Sequence, residues 1–565
     1  MTLIDVRSPD DRTESNPPWW VGAVAYQVYL RSFRDGDGDG VGDLKGLLDG
    51  LEAIAALGCD AIWLNPCYPS PQRDHGYDIA DYFDVDPDYG TLADFDAVVR
   101  EAHRLGIRVL MDMVANHCSI EHEWFRAALA AAPGSDCRTR FHFAVGRGVH
   151  GELPPNNWQS VFGGPAWTRV RDDEGRPGQW YLHSFDSGQP DFNWESAEVS
   201  QHFRRVLEFW FDRGVDGFRI DVGHGNVKAA GLPDWPGADT GTGGHNYAMW
   251  DQPGVHDIYR AWRSVGDSYP EEKYFIGEIW VPSRERLAEY LRPDEMHQAF
   301  SFDLLVQPWD AKRFRDAIDA GLAAAGSAPA WTLSNHDVHR IVTRYGQDQI
   351  LDPADPSDMI AAARRTGSVD LDKGTRRAAA AAALLLALPG TVYLYQGEEL
   401  GLPEVFDLPP EARQDPIWIR SRGAELGRDG CRVPIPWAAS EKNFGFGESD
   451  SAWLPQPEWF DRFARDRASA QPNSMLRIYE QLIALRRRYF AGDDPLLWLD
   501  TGNTDILAFR RAGATCVVNT GPHPFTVPAE WQTGTLLIAT AATDAETLIP
   551  RDSAAWFAPN GAGSI

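Results

Sequence analysis

Two carboxylates near the middle of the chain, Asp221 and Glu278, stand where chemistry could be done. Each closes a short run that reads as a buried strand. Gly217-Phe218-Arg219-Ile220-Asp221 alternates apolar and charged residues with a period of two, and Tyr274-Phe275-Ile276-Gly277 leads into Glu278. After Asp221 come Gly223, Gly225, Gly231, Pro233, Pro236 and Gly237, the composition of a long loop. Arg219 shares a strand face with Asp221; alone, that pair also fits a structural ion pair at a strand end. Other polar groups follow similar runs: Asp74, His75, Tyr77 and Asp78; Asp112, Asn116 and His117; Asn335, His336 and Asp337. Gathered on one rim, so many carboxylates are costly to bury, and a purely structural account fails. Paired carboxylates with an arginine and no thiolate cluster suit cleavage of a glycosidic bond. One must be ionised and one must carry a proton. Arg219 favours the ionised form of Asp221, the expected nucleophile. The apolar neighbours of Glu278 are expected to raise its pKa and make it the general acid.

The elements that would position these groups alternate along the chain. Strands are expected at 23–28, 60–65, 107–113, 217–221, 274–278, 298–303, 330–334 and 391–395, with helical stretches between them. Eight strands alternating with helices is the pattern of a (β/α)8 TIM barrel, an α/β fold whose active sites lie at the C-terminal ends of the strands. Between Cys118 and Trp194 the alternation stops in favour of Gly, Pro, Asn and aromatic residues. The expected organisation is a barrel at 1–117 and 195–488, an inserted subdomain at 118–194 after strand three, and a C-terminal antiparallel β-sandwich domain at 489–565. Residues 1 to about 18 read as a loose, acidic leader without the basic start and apolar core of a signal peptide.

Composition narrows the partners. A net charge of −29 repels phosphate backbones and anionic membranes, so nucleic acid and membrane are poor partners and a small neutral substrate is favoured. The 22 Trp offer flat surfaces for sugar rings. The apolar run 378–388 is too short to span a bilayer. Six scattered Cys without metal spacing read as free thiols, which suits a cytoplasmic location. Near the N-terminus, Asp35, Asp37, Asp39, Val41 and Asp43 alternate with glycines. The carboxylates and the Val41 carbonyl could wrap a hard cation, Ca2+ or Mg2+, although Gly46 stands where an EF-hand has its bidentate Glu. No organic cofactor is expected.

Five ordered motifs carry a resemblance: DMVANH (112–117), QPDFNW (189–194), GFRID (217–221), GEIW (277–280) and NHD (335–337). With them the chain resembles the α-amylase superfamily, glycoside hydrolase family thirteen, and its α-glucosidase and oligo-1,6-glucosidase branch, over nearly its whole length. The resemblance implies a retaining mechanism with Asp221 as nucleophile, Glu278 as acid/base and Asp337 as the carboxylate that binds sugar hydroxyls and stabilises the transition state. It implies that Arg219 holds Asp221 and that His117 and His336 hydrogen-bond the sugar. Tyr77 would stack on the ring, with Phe162, Phe185 and Gln189 lining the pocket. The Asp35–Asp43 loop would be the branch's metal site. His75 stands where the branch often has Asn. An Asp74–Arg432 pair is expected to close the pocket floor; Arg428 is a less favoured partner of Asp74 and otherwise reads as a surface salt bridge. A closed pocket implies exo-action on maltose and malto-oligosaccharides. Val222 goes with α-1,6 activity in part of the branch, whereas GFRIDVGHG and NNWQSVFGGPAW resemble actinobacterial-type α-1,4 maltases. Transfer or isomerisation of α-glucosides through the same intermediate is the alternative to hydrolysis. A monomer or homodimer is expected.

Overall fold

The computed structural model describes residues 18–171, 175–237, 246–325, 329–349, 363–531, 534–542 and 545–559. Apart from its last residue, the expected leader lies outside them. Eight parallel strands form one sheet: β1 (Val24–Val28), β2 (Ala61–Leu64), β3 (Arg108–Val114), β4 (Gly217–Asp221), β5 (Tyr274–Gly277), β6 (Gln298–Ala299), β7 (Ala330–Thr332) and β8 (Thr391–Tyr395). β8 pairs with β1, and a parallel bridge between Phe300 and Ala330 joins β6 to β7, so the sheet closes on itself. The eight expected strands are all present. β6 is shorter than expected because the chain turns into a helical turn at Phe302–Leu305.

Helices cover the barrel. The first, α1 (Leu44–Leu57), buries Leu44, Leu47, Leu51, Ile54 and Leu57, the three- and four-residue spacing of one helical face. Asp43 caps it by accepting the Gly46 N–H. Next, α2 (Leu92–Arg104) opens with a capping box of Thr91 and Asp94. α3 (Ala197–Asp212) and α4 (Val255–Gly266) follow β3 and β4, α5 (Ala311–Ala325) follows β6, and α6 (Leu371–Ala387) follows β7. α6 is buried throughout Ala378–Ala387 because it is covered on both sides, by the barrel and by the C-terminal sheet. The Trp556 indole N–H reaches its Ala383 carbonyl at 3.1 Å. That covering accounts for the apolar run 378–388. No helix among the described residues is long and apolar enough to cross a membrane.

Strand parity aims the site. Ala25, Ala61, Trp63, Leu110, Tyr274, Ile276 and Tyr393 fill the barrel interior. Asp112 follows Leu110, and Glu278 follows Ile276, by the two-residue period of a strand, so both point inward at the C-terminal rim. Asp112 pairs with Arg219 and Val114 with Asp221 across β3 and β4, which brings that pair to the same level. Gly217 is required by packing: a Cβ there would lie 2.2 Å from the Tyr274 carbonyl oxygen.

Between β3 and β4 the chain forms a three-stranded antiparallel sheet from Phe143–Ala144, Trp167–Arg171 and Pro177–Leu182. After the last helix, α7 (Met475–Tyr489), come a five-stranded antiparallel sheet and a two-stranded one. Their facing residues, including Ile506, Val517, Ala555, Val527, Trp531 and Ile549, share one apolar cluster, the core of a sandwich.

Candidate active site

One guanidinium organises the rim. Arg219 is 2% exposed, and its Nη1 donates to Asp221 Oδ1 at 2.6 Å and to Asp112 Oδ1 at 2.7 Å. Its Nη2 donates to Glu278 Oε2 at 2.5 Å. The Trp280 indole holds Glu278 Oε1 at 3.0 Å, and the Val222 N–H approaches Oε2 at 3.3 Å. Val222 has a φ of +44°, rare and strained for a β-branched residue, at the turn that aims this N–H. These contacts correct the expected apolar setting of Glu278: its carboxylate faces donors. They also correct the view of Asp221. Burial pushes its carboxyl well up, Arg219 opposes, and Glu278 and Asp112 add to the rise. The single cation is shared among three carboxylates, so it does not by itself keep Asp221 ionised. Burial also lifts Asp112 to about 6 against the pull of Arg219.

A second network lies beside it. Gln27 donates to His336 Nδ1 at 2.7 Å, and His336 Nε2 lies 2.8 Å from the Tyr77 hydroxyl. Burial holds His336 neutral. The Gln27 contact therefore places its proton on Nε2, donating to Tyr77, which in turn donates to Asp112 Oδ2 at 3.1 Å. The Tyr77 and His336 rings lie parallel, 2° apart in plane.

The third cluster closes the floor, and here the structure corrects the sequence. The partner of Asp74 is Arg428, whose Nη2 lies 2.9 Å from Asp74 Oδ1. The same guanidinium reaches Asp337 Oδ1 at 3.0 Å and Asp415 Oδ2 at 2.6 Å, and it is buried. Arg428 is thus no surface salt bridge. Arg432 binds Asp337 Oδ1 at 3.1 Å and the His336 carbonyl at 2.9 Å. The two arginines stand four residues apart around the helical turn 429–432, hence on one face; that spacing was the available signal. Burial raises Asp337, but the arginines Arg428, Arg432 and Arg364 oppose it and hold the carboxyl well below the usual range.

Gln189 ties the inserted segment to the floor by donating to Asp74 Oδ2 at 3.1 Å, with His117 Nε2 3.2 Å away. Burial takes His117 down to about 4. Phe185 packs on His117 with centroids 5.2 Å apart and on Phe162 at 5.6 Å, and Arg428 covers the Phe162 ring. Across the mouth, Arg420 from the segment after β8 pairs with Asp186 at 3.2 Å. His75 adopts a φ of +50°, a conformation in which Asn is common, which gives the His-for-Asn difference a backbone reason. Contacts therefore link all twelve expected catalytic and sugar-binding residues into one cluster at the barrel rim. Arg428, Asp415, Trp280 and Arg420 are the members that sequence reasoning missed.

The chain matches the alpha-amylase catalytic domain over residues 27–492. It belongs to the alpha-amylase family of glycoside hydrolases. Within the family it falls in the branch that contains α-glucosidases. It is 37% identical over 496 residues to a probable alpha-glucosidase of Rhizobium meliloti, covering 84% of this chain and 83% of that one. It is 33% identical over 575 residues to trehalose-6-phosphate hydrolase of Bacillus subtilis, covering 93% and 95%. The crystal structure of the alpha-glucosyl transfer enzyme XgtA superposes with a TM-score of 0.80 at 36% identity, over 96% of this chain and 100% of that one.

Away from the pocket, the Asp35, Asp37 and Asp39 carboxylates lie within 4.8 Å of one another. Their oxygen-only donor set fits a hard cation. Asp43 stands outside that group: it accepts the N–H groups of Gly36, Asp37 and Gly46 at 3.0, 3.0 and 2.7 Å. The Val41 N–H is held by Asp39 Oδ1 at 2.7 Å.

Proposed function

We propose that the protein is an exo-acting, retaining α-glucosidase that releases terminal α-1,4-linked glucose from maltose and short malto-oligosaccharides. The supporting observation is the closed floor, in which Arg428 ties Asp74 to Asp337 beneath the Arg219-linked pair Asp221 and Glu278. A floor closed by charged groups can hold the hydroxyls of one terminal glucose and blocks a chain from passing through.

In this reading Asp221 attacks the anomeric carbon while Glu278 delivers its proton to the glycosidic oxygen. The glucosyl–Asp221 ester is then hydrolysed by a water that Glu278 deprotonates. Glu278 carries the proton in this reading, and Trp280 and Arg219 fix its carboxyl in place beside the leaving oxygen. Asp337, held ionised by two arginines, accepts sugar hydroxyls and supports the developing positive charge. Tyr77, His117 and His336 orient the ring; both histidines are neutral and can donate or accept without adding charge. Asp35, Asp37 and Asp39, with Val41 and Asp43, hold a structural Ca2+ or Mg2+ that pins the loop entering α1. The division into a barrel, an inserted subdomain at 118–194 and a C-terminal domain from 489 belongs to the same proposal. So does a cytoplasmic location, which six unpaired cysteines suit.

NMR of the first glucose released from an aryl α-glucoside tests the reading: α-glucose is expected, and initial β-glucose overturns it. Transfer is the second reading, favoured by the likeness to an alpha-glucosyl transfer enzyme. Trisaccharide as the main product from concentrated maltose would establish it.

A further inference from the structure

Lys228, in the loop that follows β4, is buried, and its ammonium is enclosed by acceptors from three segments. It pairs with Asp191 Oδ2 of the inserted segment at 2.9 Å. It donates to Asn116 Oδ1, just past β3, at 2.9 Å and to the Gly225 carbonyl of its own loop at 2.6 Å; the Ser184 hydroxyl lies 3.2 Å away. A Cβ on Gly225 would lie 2.9 Å from Asn116 Oδ1, so the loop needs a glycine to come this close. An ammonium has donors and no acceptor, so it decides which way the Asn116 amide faces: oxygen toward Lys228, nitrogen toward His117. Asn116 Nδ2 lies 3.1 Å from His117 Nδ1, which must therefore accept. Burial keeps His117 neutral, with one ring proton. That proton is left on Nε2, which donates to the Tyr77 carbonyl at 3.2 Å. Gln189 Nε2 is equally near, but two N–H groups cannot bond each other, and Gln189 donates to Asp74 instead.

We propose that Lys228 is a positioning residue that locks His117 in its Nε2–H form through Asn116, so that the ring offers the pocket an N–H donor and not a lone pair. With the proton on Nδ1 instead, the Nε2 lone pair would face the Tyr77 carbonyl, two acceptors with no hydrogen between them, and the ring would turn away. A hydroxyl that meets His117 is thereby fixed as the acceptor. Lys228 also joins the loop after β4 to the inserted segment through Asp191, so the same ammonium that orients Asn116 holds together the walls on either side of it. The effect on turnover rests on the reading of His117 as a sugar ligand; the lock itself does not.

NMR of the full chain labelled with 15N-histidine tests the lock, with the His117 signals identified by their loss in His117→Gln. The wild type is expected to carry its proton on Nε2 and none on Nδ1. Asn116→Asp keeps the shape and the contact to Lys228, but a carboxylate only accepts, so Nδ1 is expected to gain a proton. Lys228→Met frees the Asn116 amide to turn. Because it also strands the Asp191 charge, it is made together with Asp191→Asn, and the double variant is expected to show both tautomers. A proton on Nδ1 in the wild type overturns the proposal, as does a double variant that keeps the pure Nε2–H form. Turnover is tested apart from the lock. With an aryl α-glucoside, Asn116→Asp and the double variant are each expected to lose at least tenfold in kcat/KM, Asn116→Asp without a fall in Tm. Full activity in a variant whose tautomer has shifted overturns the role of this N–H in turnover and leaves the lock standing.

Discussion

The Arg428 guanidinium lies 2.9 Å from the Asp74 carboxylate, and the pair is buried. A buried ion pair is costly to break, because removing one partner strands the other without compensation. Arg428 serves three carboxylates with three different nitrogens, a fork that a lysine ammonium cannot copy. Arg428→Lys is therefore expected to lower kcat/KM for maltose by about 100-fold or more, some 3 kcal/mol of transition-state stabilisation. Arg432→Lys, which loses the contact to Asp337 but not the Asp74 pair, is expected to cost less. Steady-state kinetics of the two variants checks the order, and a larger loss at Arg432 contradicts the corrected assignment.

Glu278→Gln removes the proton donor but keeps the shape of the carboxylate. Turnover of maltose is expected to fall by roughly 100-fold or more, the scale of general acid catalysis. An aryl α-glucoside whose leaving group needs no proton is expected to keep fast first-step kinetics. Equal losses on both substrates would remove Glu278 from the acid role.

Acid is expected to unfold the protein steeply. Burial lowers His117, His122 and His142 to about 4 and His202, His297 and His339 to about 3, from an ordinary value near 6.5. Between those values and 6.5 the unfolded chain binds more protons than the folded one. Stability is thus fully present above about pH 6.5 and is lost as the pH falls toward 4. A depression of two units or more corresponds to about 3 kcal/mol per residue at neutral pH. Tm measured from pH 7.5 to 4.5 is expected to fall with a steepening slope; a flat profile would mean that these rings are not buried neutral.

Chelation tests the acidic loop. EDTA is expected to lower Tm by several degrees in the wild type, with Ca2+ or Mg2+ restoring it, and to leave Asp37→Ala unmoved. Identical melting of the wild type with and without chelator would show that Asp35, Asp37 and Asp39 hold no structural ion.

The barrel was legible because apolar runs of period two and helical stretches alternate through most of the chain, and eight such runs close only one way. The ligands at strand ends were legible because each motif ties a charge to a strand of known parity: Asp221 to Phe218 and Ile220, Glu278 to Tyr274 and Ile276. Arg428 was misread because its burial depends on Asp415, Asp74 and Asp337, all distant from it or in other elements, and sequence spacing alone does not rank it against Arg432. The full surroundings of Asp221 were hidden for a similar reason. Its neighbour Arg219 is two residues away, but the competing claims of Asp112 and Glu278 come from β3 and the end of β5. The left-handed turn at Val222 had no signal at all, since a β-branched residue argues against that conformation.

The covalent glucosyl ester on Asp221 is the central claim, and trapping it is the most direct test. Glu278→Gln slows turnover of the ester, so brief incubation with 5-fluoro-α-glucosyl fluoride followed by peptide mass spectrometry should find one fluoroglucosyl group on the peptide that holds Asp221, and none in Asp221→Asn. A label on another residue, or steady turnover with no labelled peptide and an inverted product, would contradict the account.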